Sequence, residues 1–440
     1  MPRAPHSVSS TRLLHPAAAS ILDETLGAKA GFSHLRSPLQ RLELAKLAAR
    51  MRTNVLPWLL LSLAPTSLPA QSVHSGMAPF ILDGNRIYAS VEFLLPNRKL
   101  RKVLVFVDLG SPAMILSKEL YKTLKVDANR ELSLQIGDMA VSVKPGEVSK
   151  DSWFPFSIGE NRKVEALLPA GILQNYQVRF DYAARTMTLA EPKTLELHGN
   201  PVPLKLDPKT GLIAVEARID GKSYPMTIDN GSGFSWIRKS AANGWISRHP
   251  DWQRGIGAVG PSNMRMADDG IESSGVLLRM AEVRLGSMHL KDVGALAIGP
   301  DNGGHDFMDW YSRKNALPVI GWLGGNVLSH FRITIDYPNK ISYWEPQSAI
   351  DPHDLDYVGL TLVFRQGAYF VGGIATRNGQ PTVSGAQIGD KVVQIGTLWT
   401  DGASREAIFA AMHGKAVEMR SLVIERGAGS MQLQAPVTAF

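Results

Sequence analysis

Short segments of alternating apolar and polar residues dominate the chain from about residue 80 to residue 400. They are rich in Val, Ile, Phe and Tyr and are separated by Gly, Pro, Asn and Asp, a pattern that predicts β-strands joined by turns. Examples are IYASVEF, KVLVFVD, LSLQIG, VRFDY and MTLAEP. Helical periodicity is scarce before residue 400, and one amphipathic helix is predicted around Arg405 to Met412. The chain is therefore predicted to be mainly β.

Two blocks of sequence occur twice, in the same order. VFVDLGSPAMILSKEL aligns without a gap on MTIDNGSGFSWIRKSA, which places Asp108 on Asp229. GILQNYQVRFDYAARTMTLAEP, which starts at Gly171, aligns on NVLSHFRITIDYPNKISYWEP, which starts at Asn326. Two blocks that recur in one order indicate a duplicated unit.

Polar, proline-rich linkers divide the chain into segments. We predict repeat 1 at residues 80–192, repeat 2 at residues 201–346, and a third domain at residues 351–440. Upstream, MRTNVLPWLLLSLAPTSLPAQS has an arginine, a short apolar run and small residues, which is the layout of a secretory signal at residues 51–70. The run is about half the length of a membrane span, so no stable span is expected after signal cleavage. We expect residues 1–50 to come from a misassigned start codon.

The positive charge lies mostly in this N-terminal segment. The formal net charge is +7, and residues 1–50 hold seven Lys/Arg and three Asp/Glu, a balance of 7 − 3 = +4. Arg52 adds one more, so the remainder carries 7 − 5 = +2. Because no stripe of Lys/Arg interleaved with aromatic residues follows, a nucleic-acid partner is not predicted.

The residue types present exclude several kinds of site. The chain has no Cys, which excludes disulfides, thiolate metal sites and a Cys nucleophile. His305, Asp306 and Asp309 fit no metal-ligand spacing and read as a solvated loop. GIGAVG at residues 255–260 matches G-x-G-x-x-G, but no βαβ unit follows it, and we interpret it as a flexible loop near repeat 2. No metal and no other cofactor is predicted.

Each copy of the first block has an apolar strand that ends in Asp-x-Gly-Ser. In this pattern the strand carries the Asp to its end, Gly permits a backbone conformation that other residues avoid, and we expect the Ser hydroxyl to hydrogen-bond the carboxylate. Twofold symmetry would bring the two carboxyl groups together. They could not both ionise in contact, so the pair would share a proton and supply one general base and one general acid. The residues concerned are Asp108, Leu109, Gly110 and Ser111 in repeat 1, and Asp229, Asn230, Gly231 and Ser232 in repeat 2.

These motifs resemble those of the pepsin and retropepsin superfamily of aspartic peptidases, over most of residues 80–346. The resemblance implies two pseudo-twofold related β-barrel lobes of six-stranded type, the acid protease fold, in which Asp108 and Asp229 activate a water to hydrolyse a peptide bond. In that superfamily two apolar residues and a Gly support each motif. Repeat 2 has Trp322, Leu323 and Gly324, and the segment GNVLSHFRITIDY that follows is typical of bacterial two-lobed members. Repeat 1 has the sequence LLPA at residues 167–170.

The residue after each Asp departs from the superfamily pattern. There a Thr or Ser hydroxyl bonds to the other lobe and locks the pair; here Asn230 offers an amide and Leu109 has neither donor nor acceptor. Two hypotheses therefore stay open. One is a periplasmic or secreted aspartic endopeptidase that acts on peptides or proteins, and the other is a catalytically inactive peptide-binding protein of the same fold.

The third domain contains SGAQIGDKVVQIG, from Ser384, which resembles a segment of bacterial PDZ domains. The resemblance implies a domain that adds an extended peptide to a sheet edge and holds its C-terminal carboxylate against backbone N–H groups. The alternative is a PDZ fold used only for packing against repeat 2. The carboxylate loop is expected at Gly367, Ala368, Tyr369 and Phe370, with Arg365 near its mouth.

The signal interpretation predicts where the exported protein begins. Because small residues end at Ala70, cleavage should leave a chain that starts near Gln71. N-terminal sequencing of exported material measures this. An intact exported chain that still carries residues 1–50 would contradict both the signal and the start-codon predictions.

Overall fold

The computed structural model describes residues 74–149, 156–158, 162–299 and 307–440. Residues 1–50, the predicted signal, His305 and Asp306 lie outside the described residues. The described part is mainly β, as predicted. None of its helices is both long enough and apolar enough to span a membrane.

The described part of repeat 1 consists of strands with two short α-helices, and its strands bury alternate residues, as in β6. The first helix begins after Ser117, whose hydroxyl accepts a hydrogen bond from Leu120 N at 3.1 Å. The elements are β1 (Ser75–Asp83), β2 (Arg86–Leu94), β3 (Leu100–Asp108), β4 (Ile115–Leu116), α1 (Lys118–Leu124), β5 (Leu132–Ile136), β6 (Met139–Val143), β7 (Phe156–Ile158), β8 (Arg162–Val164), β9 (Ala166–Pro169), α2 (Ala170–Leu173), β10 (Gln177–Asp181) and β11 (Thr186–Ala190).

Repeat 2 has a similar order of strands and helices, with one additional helix in the longer connection before its last strands. Its elements are β12 (Asn200–Pro203), β13 (Lys205–Leu206), β14 (Ile213–Ile219), β15 (Lys222–Ile228), β16 (Trp236–Arg238), α3 (Lys239–Arg248), β17 (Gln253–Ile256), β18 (Val276–Leu285), β19 (Met288–Ile298), α4 (Phe307–Ser312), β20 (Gly321–Leu323), α5 (Gly325–Leu328), β21 (Phe331–Asp336) and β22 (Ile341–Pro346).

The third domain, which we call the C-terminal domain, is a strand series with one helix. The helix predicted around Arg405 to Met412 is confirmed with those bounds. The elements are β23 (Asp356–Val358), β24 (Leu360–Arg365), β25 (Ala368–Ile374), β26 (Thr376–Arg377), β27 (Gln380–Pro381), β28 (Lys391–Ile395), β29 (Leu398–Trp399), α6 (Arg405–Met412), β30 (Met419–Arg426) and β31 (Gly429–Ala439).

One sheet joins the two repeats, in the order β12-β22-β21-β10-β11-β1 and onward into repeat 1. At its centre β10 and β21 pair antiparallel, with Arg179 opposite Thr334. The sequence alignment of the repeats relates these same two residues, because Asp181 aligns on Asp336 and both pairs differ by 155 positions (334 − 179 and 336 − 181). A residue that faces its own equivalent is what a twofold axis between the two strands produces.

The C-terminal domain is packed against repeat 2 through a shared core. One cluster of buried side chains includes Tyr311 and Trp322 of repeat 2 together with Leu360 and Leu362 of the C-terminal domain. The short hairpin of β26 and β27 extends the sheet of repeat 2, because β26 pairs with β17. A continuous core of this kind favours a fixed arrangement of the two parts.

The segment expected to form a carboxylate-binding loop has a different structure. Gln366 and Gly367, with φ of 52° and 79°, form the two-residue turn between β24 and β25. Ala368, Tyr369 and Phe370 belong to β25, where Tyr369 and Phe370 face residues of β28. The expected loop is therefore a tight hairpin, because the two strands continue right up to the turn.

Candidate active site

Two strands carry the aspartates to one place. β3 ends at Asp108, and β15 ends one residue before Asp229. Strand β9 runs parallel to β3, whose Asp108 lies opposite Pro169, and β20 runs parallel to β15, where Asp229 N donates to Leu323 O at 3.0 Å. The supporting blocks proposed from the sequence thus lie beside the two aspartates, with Pro169 at the position that Gly324 has in repeat 2.

Two glycines let the aspartates approach each other. A Cβ atom at Gly110 would lie 2.4 Å from Asp229 Oδ2, and a Cβ atom at Gly231 would lie 2.3 Å from Asp108 Oδ1. Neither glycine has a positive φ, so the sequence-based reason for them, an unusual backbone conformation, is wrong. They are glycines because each packs directly against the carboxyl group of the other repeat.

The turns after the aspartates are closed by their own hydrogen bonds. Asp108 Oδ1 accepts from Gly110 N at 2.8 Å, and Asp229 Oδ1 accepts from Gly231 N at 2.9 Å. The hydroxyl groups act elsewhere: Ser111 Oγ donates to Ala113 O, and Ser232 Oγ donates to Phe234 O. The expectation that the Ser hydroxyls bond the carboxylates is therefore wrong, because main-chain carbonyls of the same turns take them.

A hydrogen bond between the repeats links the residues that follow the two aspartates. Leu109 N donates to Asn230 Oδ1 at 2.8 Å, and both side chains are buried. Within the described residues, Asn230 Nδ2 is buried without a hydrogen-bond partner. The lock between the two turns is therefore only half made. The Asn230 carbonyl accepts a hydrogen bond from repeat 1, but the Leu109 side chain offers no acceptor to the Asn230 amide group.

Burial decides the charge of the pair. Burial raises the pKa of Asp108 to about 6, against the opposing effects of the Gly110 N–H group, Asp229 and the Arg86 cation. Burial, followed by the charge of Asp108, raises the pKa of Asp229 well above its ordinary value. Asp229 is also the more buried of the two. As the pH rises through about 6, the pair loses one proton and retains the other.

Two residues at this site were not singled out from the sequence. Tyr311 Oη donates to Asp229 Oδ2 at 3.4 Å, and burial raises the pKa of this phenol, which stays a neutral donor. The cation of Arg86, the first residue of β2, lowers the pKa of both aspartates. Tyr311 lies on α4 and Arg86 at the start of β2, outside both repeated Asp-x-Gly-Ser blocks. Pattern analysis of the sequence contains no signal for contacts of this kind.

The donor set of the site suits proton transfer. Among the described residues, no group of three or more His, Asp or Glu side chains is arranged to hold a metal ion. Two carboxyl groups that retain one proton between them can take a proton from one atom and give a proton to another. This is the chemistry required to add water to a neutral carbonyl group.

Comparisons with known proteins give only distant likenesses. No family model matches the chain, and no curated protein matches it. The basic 7S globulin of soybean is similar in structure at 13% identity with a TM-score of 0.38, covering 63% of this chain and 96% of the globulin. The aspartic proteinase of Irpex lacteus is similar at 12% identity with a TM-score of 0.38, covering 62% and 98%.

Because each of the two glycines lies directly against the opposite carboxyl group, substitution of either glycine is expected to destabilise the protein. Gly110→Ala and Gly231→Ala should each lower the free energy of unfolding by about 1–3 kcal/mol, because a methyl group there overlaps the opposite carboxyl group. Urea denaturation measures the change. Gly146→Ala is the matched control, because a Cβ atom there meets nothing within 4 Å. Equal stability of all three variants would contradict the packing described.

The half-made lock predicts the effect of a hydroxyl at residue 109. Leu109→Thr supplies an acceptor for the unpartnered Asn230 amide, whereas Leu109→Val supplies the same shape without the oxygen. The Thr variant should be more stable than the Val variant by about 1 kcal/mol, because it satisfies a buried donor. Thermal or urea unfolding compares them. A Val variant as stable as the Thr variant would show that the Asn230 amide does not depend on residue 109.

Proposed function

We propose that this chain is an exported aspartic-type endopeptidase of the pepsin and retropepsin kind. The observation that carries the proposal is the contact of Asp108 and Asp229, each packed over the glycine that follows the other. Their raised pKa values support one shared proton, which is the state that general acid–base hydrolysis requires. Gly110, Ser111, Asn230, Gly231 and Ser232 support the pair by closing and linking its two turns.

The proposed reaction assigns a role to each carboxyl group. Asp108, which ionises first, takes a proton from a water that attacks the peptide carbonyl carbon. Asp229, which retains its proton longer, donates it to the carbonyl oxygen. The tetrahedral intermediate then collapses: the proton held by Asp108 passes to the amine nitrogen, the C–N bond breaks, and one hydroxyl of the intermediate returns its proton to Asp229. Tyr311 supplies a neutral hydrogen bond to Asp229 and keeps that carboxyl group in place.

The wider setting is part of the same proposal. Export to the periplasm or outside the cell follows from the signal-like sequence at residues 51–70, and peptides or proteins are the substrates. A PDZ-like identity for the C-terminal domain is supported by its Gly-Asp segment, its strand series and its single helix. A C-terminal peptide ligand for that domain stays a prediction.

A second function is favoured by one observation. The Asn230 amide is buried without a partner beside a buried Leu109, so the lock between the turns is incomplete. A pair held less firmly loses catalysis steeply, because misplacement by about 1 Å can lower a rate roughly 100-fold. The alternative is therefore a catalytically inactive peptide-binding protein of the same fold.

The shared proton predicts the pH dependence of hydrolysis. Activity should rise as the pH passes through about 6, where Asp108 ionises, and persist until Asp229 also loses its proton. Asp108→Asn and Asp229→Asn should each abolish it, and the double variant should be no worse, because the two groups act as one unit. Hydrolysis of a random peptide library from pH 3 to pH 9 measures this.

Stability gives the control for those variants. Because the folded-state pKa of each carboxyl group lies above its unfolded value, the pair favours the folded state below the unfolded pKa, and this contribution is lost as the pH rises through the folded pKa. An Asn side chain does not ionise, so the substituted position loses no stability as the pH rises. Asp108→Asn and Asp229→Asn should therefore be at least as stable as wild type at pH 7. If wild type binds library peptides but does not hydrolyse them, the endopeptidase proposal is overturned and the inactive peptide-binding protein is supported.

A further inference from the structure

A loop of repeat 2 connects the candidate active site with the C-terminal domain. We call residues 257–275, between β17 and β18, the bridging loop. Its shape is fixed by the buried carboxylate of Glu272, which accepts hydrogen bonds from Asn263 Nδ2 at 3.1 Å, Arg265 N at 2.8 Å and Met266 N at 2.9 Å. A loop with an internal buried acceptor of this kind holds one conformation.

The bridging loop covers the edge of β24. Leu362 N donates to Asn263 Oδ1 at 2.6 Å, and Phe364 N donates to Met266 O at 2.9 Å. A Cβ atom at Gly260 would lie 2.5 Å from the ring of Tyr357. These edge N–H groups, which could otherwise pair with an added peptide strand, are thus bonded to the chain itself. The C-terminal domain and the bridging loop are therefore packed as one unit.

Met264 of the bridging loop makes three contacts that converge on the candidate active site. Its carbonyl oxygen accepts from Arg86 Nη2 at 2.5 Å and from Arg405 Nη1 at 2.8 Å. Its sulfur atom lies in contact with Ser232 Oγ at 2.9 Å, and Ser232 belongs to the turn of Asp229. One residue thus joins the C-terminal domain, the cation beside the aspartates and the turn of Asp229.

The turn that precedes Arg86 is held by α6, the helix that begins at Arg405. Asp83 Oδ1 accepts from Glu406 N at 3.1 Å, and Glu406 Oε2 accepts from Gly84 N at 3.0 Å. Within the described residues, Arg86 Nε is buried without a partner. The guanidinium of Arg86 is held by the Met264 carbonyl together with the Tyr88 side chain and the ring of Phe106, whose centroid lies 6.0 Å away.

We propose that the C-terminal domain positions Arg86 and the turn of Asp229, and that Arg405 is the positioning residue through which it does so. This inference rests on the proposed function, since it assigns a role in the same reaction. Arg405 orders the Met264 carbonyl, that carbonyl orders Arg86, and Arg86 favours the ionised form of the pair. The C-terminal domain is in this respect a part of the catalytic unit, whether or not it also binds a free peptide.

The direction of the effect follows from the charges that surround Arg86. A cation held near the pair favours its ionised form and lowers the pH at which the first proton leaves. A loosened Arg86 therefore moves the acidic limb of the pH profile to higher pH. Arg86 and Arg405 face each other across the Met264 carbonyl. The other charged and titratable groups that face one or both of them are Asp83, Tyr88, Asp108, Asp229, Glu272 and Tyr369.

The test compares three variants of the full chain. Arg405→Met should move the midpoint of the acidic limb of kcat/KM upward by about half a pH unit and lower kcat roughly fivefold with little change in KM. Arg405→Lys, which retains a cationic donor, should recover most of the shift. Arg420→Met is the matched control, because Arg420 also holds α6, at Ala411 O and His413 O, without touching Met264, and it should leave the midpoint unchanged.

The midpoint is the decisive readout, because a variant that folds incompletely loses amplitude without moving it. An unchanged midpoint in Arg405→Met, or an equal shift in Arg420→Met, would overturn the proposal. A readout without activity separates this proposal from the proposed function. For wild type and for Arg405→Met, the free energy of unfolding is measured against pH with and without the substitution Asp108→Asn. The difference between the two values changes slope at the folded-state pKa of the pair. That pH should be higher in Arg405→Met even if wild type hydrolyses no peptide, and equal values would overturn the inference.

Discussion

Two carboxyl groups held in contact inside the protein set the conditions for the rest of the structure. Asp108 and Asp229 meet because a glycine lies beneath each of them, and burial then raises both pKa values. Such a contact is unfavourable unless strands on both sides hold it, since each carboxyl group loses hydration on burial. The parallel strands β9 and β20, the central pairing of β10 with β21, and the bond from Leu109 to Asn230 supply that support.

The support is not symmetric, although the repeats are. Repeat 2 contributes the Asn230 carbonyl, the Tyr311 hydroxyl and the bridging loop, whereas repeat 1 contributes Arg86 and a leucine that offers only its main chain. Consequently Asp229 is the more buried and more heavily supported member, and Asp108 is the one that ionises first. The C-terminal domain lies against the supported side and shares its core.

The sequence predicted those features that depend on the duplicated motif or on a local apolar period. Asp108 and Asp229 were found because a duplicated motif marks equivalent positions, and the helix at Arg405 to Met412 was found because its apolar period is local. Two predictions were wrong in detail: the serine hydroxyls bond main-chain carbonyls and not the carboxylates, and residues 367–370, expected to form a loop, belong to a tight hairpin. Contacts such as those of Tyr311 and Met264 join residues distant in the chain that follow no pattern, so only the folded structure reveals them.

Above pH 6 the two aspartates retain one proton between them. The most direct measurement is a ¹³C NMR titration of the aspartate carboxyl carbons, with Asp108→Asn and Asp229→Asn spectra to assign the two signals. The account predicts that one of them titrates near pH 6 and that the other stays protonated to well above that pH. Two signals that both titrate near pH 4, as in isolated carboxyl groups, would contradict it.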